Sequence, residues 1–336
     1  MRSPRAQHIG ITVRLQLGFM PADVLIKLLL RACTGFADKK NDVLFFGRPG
    51  PAQANVVYFG GDLQDLEEHM RTHSNGLEYL DWSLEQTGRL LNERLFTHAV
   101  NAHVWIVRPS QWIFNDLASF SNFVSVDERG NPLLSTDCPT VCNATEHLAH
   151  LMTNAVNEAN KRDSRICAGL SNQMLELIGF SKGCCVLTSI LYDLSVYEPY
   201  SNRSAGLVSF SDTARRFLLN LRSIYWLDAG HSAIHHQWPI SVSNLASLNP
   251  NICPTLNVYA TPYQIANPLR PWKTRDYQTF IQLLSKLQLP HRQAILLQNE
   301  LANQTTVLPN VSDLHTHFAI LKYFPLCSTD ILNGRD

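Results

Sequence analysis

The stretch Met174-Leu175-Glu176-Leu177-Ile178-Gly179-Phe180-Ser181-Lys182-Gly183 decides how this chain is read. Met174 to Leu177 has the apolar weight of a strand. The residues that follow, Cys184 to Leu194, place Val186, Leu187, Ile190, Leu191 and Leu194 at helical spacing. Strand, Gly-x-Ser-x-Gly and helix in succession make the nucleophile elbow of an α/β-hydrolase. The turn is so sharp that its serine takes a strained backbone, and side chains two residues before and after it would clash. Glycine occupies both places, as Gly179 and Gly183. The hydroxyl is lifted above the sheet edge, in front of a helix N-terminus that favours nearby negative charge.

Working outward, strands and helices alternate from about residue 42. Asp42–Phe46 and Asn55–Phe59 read as strands, the second so continuously apolar that it belongs in a buried parallel sheet. It runs into Gly60-Gly61-Asp62, the loop that in such folds lends a backbone N–H to the oxyanion hole. Lys182 is the other expected donor. Ser83 with Gln86 has the spacing of a capping box, and Leu84, Leu91 and Leu95 make the buried stripe of the helix behind it. Ala102–Val107 is the next strand. Residues 110–145 are irregular and read as an insertion or lid. Leu148, Leu151, Met152, Ala155, Val156 and Ala159 form a helical stripe. Thr213–Leu221 reads as a helix, Ser223–Asp228 and Thr255–Ala260 as strands, Tyr277 to Leu287 as a helix and Ala294–Leu297 as a last strand. The expected architecture is α/β-hydrolase-like: a mostly parallel central sheet with helices on both faces.

The chain has 336 residues. A sheet of this type runs long as one domain, so 23–336 is read as a single unit. Residues 1–22 carry Arg2, Arg5 and Arg14 without Asp or Glu, as a mitochondrial targeting segment does. The alternation of Ile9, Ile11, Val13, Leu15 and Leu17 supports an early strand instead. Hydrophobic residues make up 45% and charged residues 17%, an ordinary globular balance, and with a formal net charge of +0 nothing in the bulk charge points to nucleic acid or an anionic membrane surface as a partner. No apolar run is long enough to span a bilayer; Val24–Leu30 is short and contains Lys27. Eight scattered cysteines read as reduced thiols, with Cys184 and Cys185 packing the elbow helix. Cys138 and Cys142 lack a second pair at zinc spacing.

A serine hydroxyl needs a base to take its proton and a third group to orient that base. The chain order in this fold is serine, acid, histidine. His317, with His315 as its rival, stands where the histidine belongs. The strand ending in Ala260 offers no carboxylate before Asp276, whereas the strand ending in Leu227 offers Asp228 at once. The candidate triad is therefore Ser181, Asp228 and His317. Asp228 also has a plain reading as a loop aspartate bonded to the N–H groups of Ala229 and Gly230. His231, His235 and His236 read as a loop lining the cleft rather than as a metal site, and no metal or organic cofactor is expected.

Taken together, Val56-Val57-Tyr58-Phe59 with Gly61-Asp62, Asp81-Trp82-Ser83-Leu84-Glu85, the elbow, Tyr225-Trp226-Leu227-Asp228 with Gly230-His231-Ser232, Thr261-Pro262-Tyr263-Gln264 and His317-Phe318 resemble the hydrolase-like mitochondrial proteins named after human chromosome-two open reading frame sixty-nine. That resemblance implies a hydrolase-like fold, Ser181 as nucleophile, His317 over His315, and a mitochondrial rather than cytoplasmic setting. It implies no substrate. Two positions depart from the family pattern: Ala229-Gly230-His231-Ser232-Ala233 replaces a glycine-rich run, and Gly60 stands in place of a proline. The function expected is hydrolysis of a small acyl substrate, an ester, thioester or amide. The alternative is a binding or assembly factor that keeps the fold without the chemistry.

Overall fold

The computed structural model describes residues 24–298, apart from 73, 114–116, 135–142, 204–206, 208 and 232–237, and then residues 314–326. The readings of residues 1–22, of Cys138 and Cys142, and of His235 and His236 lie outside the described residues.

Eight strands form one sheet: β1 (Ile26–Thr34), β2 (Lys40–Gly47), β3 (Ala54–Phe59), β4 (Ala102–Val107), β7 (Met174–Phe180), β8 (Leu221–Leu227), β9 (Thr255–Ala260) and β10 (His291–Ile295). Their spatial order is β1-β2-β4-β3-β7-β8-β9-β10. β2 is antiparallel to both of its neighbours, and every pairing from β4 to β10 is parallel. This is the α/β-hydrolase strand order. The chain leaves β3 toward β4 on one side and returns to β7 on the other. A crevice therefore opens at the carboxyl ends of β3 and β7, where open α/β sheets bind ligands.

The strands are apolar on both faces because both faces are covered. Alternate residues of β3 divide between the two halves of the core: Val57 and Phe59 meet the side holding helices Ala144–Arg162, Cys184–Leu194 and Pro271–Lys286. Val56 and Tyr58 meet the side holding helices Leu84–Thr97 and Leu314–Tyr323. The stripes expected for the helices at 84–97 and 144–162 are buried. Cys184 and Cys185 are buried too, and burial lifts both thiols above their ordinary range.

Several boundaries differ for physical reasons. Ile26–Thr34 is a strand, although its run of leucines with Lys27 and Arg31 lacks strict alternation. It pairs with β2 through a register shift between Leu30 and Cys33 that breaks the period. The last strand begins at His291, three residues early, because an edge strand needs no apolar first half. The helix read to Leu221 ends at Leu218, since Leu221 already pairs with Leu175. Residues 111–119 of the supposedly irregular insertion hold a short antiparallel pair, β5 (Gln111–Ile113) and β6 (Leu117–Ser119). Only half of the capping box forms. Ser83 Oγ accepts from the Gln86 backbone N–H at 3.2 Å, but the Gln86 side chain turns away to donate to Glu67 at 2.7 Å.

The elbow's glycines are required by backbone, not by flexible neighbours. A Cβ on Gly183 would press into the carbonyl oxygens of Phe59 and of Gly60, the latter 2.7 Å away. One on Gly179 would lie 2.9 Å from Cys184 Cα. Gly183→Ala is accordingly expected to lose about 3 kcal/mol or more of stability, as overpacking against an immovable wall does. Urea unfolding measures it; a loss under about 1 kcal/mol would show that the elbow can spread.

Candidate active site

Ser181 follows directly on β7 with φ at 52°, the left-handed region that costs a non-glycine residue about 1–3 kcal/mol. Three contacts hold it there. The Gly230 N–H donates to the Ser181 carbonyl at 3.3 Å. Gly183 and Gly179 let the turn close. Gly61 comes so near that a Cβ on it would stand 3.0 Å from Ser181 Cβ. The serine is half-buried and opens onto a cavity of about 390 Å³ at the crevice between β3 and β7.

Asp228 ends β8, also with positive φ (47°), and is fully buried. Its carboxylate accepts from the Thr261 backbone N–H at 2.5 Å and from the Thr261 hydroxyl at 2.6 Å. The third donor is His317 Nδ1, at 2.8 Å. The alternative in which Asp228 bonds the N–H groups of Ala229 and Gly230 is therefore corrected: Gly230 N–H is engaged by Ser181. A carboxylate has no proton to give, so Nδ1 carries the hydrogen, and in the neutral imidazole Nε2 is then the acceptor. The His317 ring is 5% exposed and packs on Phe180 and Tyr263, with ring centroids 4.5 and 4.9 Å away. His315, two residues earlier, is exposed, faces Glu78 and Tyr79, and does not line the cavity.

The structure thus joins Asp228 to His317 and sets Ser181 and His317 on one cavity. It does not join Ser181 to His317: among the described residues no hydrogen bond links them. Such bonds are commonly long before substrate arrives.

The loop expected to form the oxyanion hole is more committed than its sequence suggests. The Gly61 N–H already donates to Gln64 Oε1 at 3.0 Å. Gln64 also accepts from Tyr58 at 2.6 Å and donates to Trp82 O and Thr87, so it is a buried hub. Gly60 is buried beside Gln64 and Leu84. Lys182 offers its backbone to the serine's turn, while its side chain is buried and its ammonium meets Asp62 at 2.9 Å. Burial pushes the Asp62 carboxyl up, and Lys182 opposes that shift. Asp62 lines the cavity, as does His231. No group of metal-ligating side chains occurs among the described residues.

Sequence reasoning missed the wall of the cavity built from Arg270, Trp272 and Lys273. Lys273 is 6% exposed and donates to Gln264 at 3.1 Å. Burial, with Arg270 nearby, lowers its ammonium to about 8. A lysine in the first turn of helix Pro271–Lys286 opposes the helix dipole, and that was the available signal. Thr261, the anchor of Asp228, was visible only as part of a family motif.

The family model C2orf69 matches residues 29–168 and 157–290, most of the chain. The chain belongs to the C2orf69 family. The human mitochondrial protein C2orf69 is 27% identical over 311 residues, which cover 78% of this chain and 75% of the human one. The C2orf69 homolog of Danio rerio is 29% identical over 244 residues, 69% of this chain and 65% of its own. These relatives and that of Mus musculus are each named mitochondrial, and the C2orf69 chain described here is assigned the same setting. Among solved structures, the chain is similar to esterase Est22 (TM-score 0.42, 10% identity, 82% of this chain and 73% of that one). It is also similar to a lipase/esterase from Lactobacillus plantarum (0.42, 12%, 86% and 95%) and to dienelactone hydrolase from Anabaena variabilis (0.38, 10%, 88% and 97%). For this C2orf69 member the hydrolase fold stands on its own strand order.

Two outcomes follow for stability. Thr261→Val removes one of three donors to a buried carboxylate and should cost about 1.5–3 kcal/mol in urea unfolding. Lys273 holds its proton less tightly folded than unfolded, so the unfolded chain binds more protons between about pH 8 and the ordinary lysine range. Wild type should therefore gain stability over that window relative to Lys273→Met; parallel pH curves would show that the ammonium is fully solvated.

Proposed function

We propose that this C2orf69 member is a serine hydrolase acting on a small ester, thioester or amide. The observation that carries the reading is the buried Asp228–His317 pair beside a strained, cavity-facing serine. In this mechanism His317 Nε2 takes the proton of Ser181 as Oγ attacks the acyl carbonyl. Asp228 fixes the imidazole tautomer and stabilises the imidazolium that forms. His317 then protonates the leaving group, and water attacks the acyl-enzyme with the same histidine as base. The Lys182 N–H and that of Gly60 or Gly61 hold the oxyanion. Gly61 serves only once Gln64 turns away from its N–H. The described residues act as one unit, and of the segment that follows β4, Leu117 lines the cavity.

A second reading has one observation in its favour, the missing Ser181–His317 hydrogen bond. It makes the chain a hydrolase-fold binding or assembly factor in mitochondria. A fluorophosphonate probe separates the two. Labelling of wild type is expected, with none in Ser181→Ala and a rate lower by about 100-fold or more in His317→Ala. A wild type that stays unlabelled would contradict catalysis and favour the second reading.

A further inference from the structure

The cavity wall opposite the serine is cationic. Lys273 projects its ammonium to within reach of Gly230, where a Cβ would lie 3.1 Å from Nζ, and Gly230 is the residue whose N–H holds the Ser181 carbonyl. The ammonium therefore stands beside the residue that braces the serine's backbone. A buried ammonium is costly unless an anion meets it. Here its hydrogen-bond partner is the neutral Gln264, and among the described residues no carboxylate lies within ion-pair distance of Lys273 or Arg270. Two carboxylates act on Lys273 at longer range, but each is bonded elsewhere: Asp62, which lines the cavity, to Lys182, and Asp228, fully buried behind it, to His317. Arg270 is exposed at the same wall. Trp272, between the two cations, has a buried indole N–H without an acceptor among the described residues. Two positive charges thus line a space next to the serine, and among the described residues neither is bonded to a carboxylate.

We propose that the cavity takes a substrate bearing an oxyanion, a carboxylate or a phosphate, and that Lys273 and Arg270 bind it. This deepens the hydrolase reading by naming a substrate class. It rests on that reading for the reaction, but not for the binding. The anion compensates the desolvated ammonium and anchors the acyl group with its carbonyl at Ser181. A neutral ester lacks that anchor.

The test has a kinetic arm and a binding arm. In the first, the 4-nitrophenyl monoester of glutarate is compared with 4-nitrophenyl butyrate. Wild type should prefer the anionic ester by about tenfold or more in kcat/KM, the worth of a charge-assisted bond. Lys273→Met should erase that preference, mainly through KM, so that the ratio of the two kcat/KM values falls to about one. Arg270→Gln, on the surface and harmless to folding, should give a smaller loss in the same direction. In the second arm, Ser181→Ala protein is titrated calorimetrically with glutarate and with inorganic phosphate, so binding is read without catalysis. Tighter glutarate names a carboxylate and tighter phosphate a phosphate ester, and either must weaken about tenfold in Ser181→Ala/Lys273→Met. Binding that depends on Lys273 in a protein that hydrolyses neither ester would keep the anion site and reject the hydrolase. Equal hydrolysis of both esters, equal losses on both in Lys273→Met, or no anion binding would overturn the proposal.

Discussion

Asp228 is a fully buried carboxylate, and the arrangement of the crevice depends on keeping it satisfied. An ionised group cannot stay out of water unless donors replace its solvent. Here the donors come from the end of β9, through both the backbone and the hydroxyl of Thr261, and from helix Leu314–Tyr323, through His317. One side chain thereby ties the end of β8 to its neighbouring strand and to a helix almost ninety positions further along the chain. The imidazole can occupy no other place without stranding the carboxylate. Phe180 and Tyr263 then fix its plane. Because Nδ1 is committed, Nε2 is the nitrogen left to work in the cavity.

The serine is positioned by a different force. Its turn is shaped by backbone approach: Gly183 against Phe59 and Gly60, and Gly61 against the serine itself. Strands β3, β7 and β8 thus deliver Gly61, Ser181 and Asp228 to one end of the sheet, at the point where the chain reverses its direction of travel across it. Electrostatics completes the site. Asp62 and Lys182 neutralise each other beneath the turn, and the charge left over on the far wall is positive.

The features written in local spacing were readable from the residues. The elbow needs only the five positions 179–183 between a strand and a helix, and the stripes at 84–97 and 144–162 repeat within single helices. Asp228 emerged because the next strand end has no carboxylate, and His317 because of its place late in the chain. What could not be read depends on contacts between distant segments. That Lys273 is buried follows from the packing of its helix against the crevice, and its place in that helix's first turn is the one local sign of it. The occupation of the Gly61 N–H by Gln64 likewise arises from a loop folding back on itself under Trp82. β1 escaped because a register shift breaks its alternation, and the polar half of β10 because edge strands need no apolar face.

The state of the His317 imidazole tests this account most directly. Proton NMR in water should show an imidazole N–H resonance far downfield of the amides, the mark of Nδ1–H donating to a buried carboxylate. That resonance should vanish in both His317→Gln and Asp228→Asn. Its absence from the folded wild type, or its survival in Asp228→Asn, would mean that Asp228 does not hold the histidine, and the site described here would have no base in place.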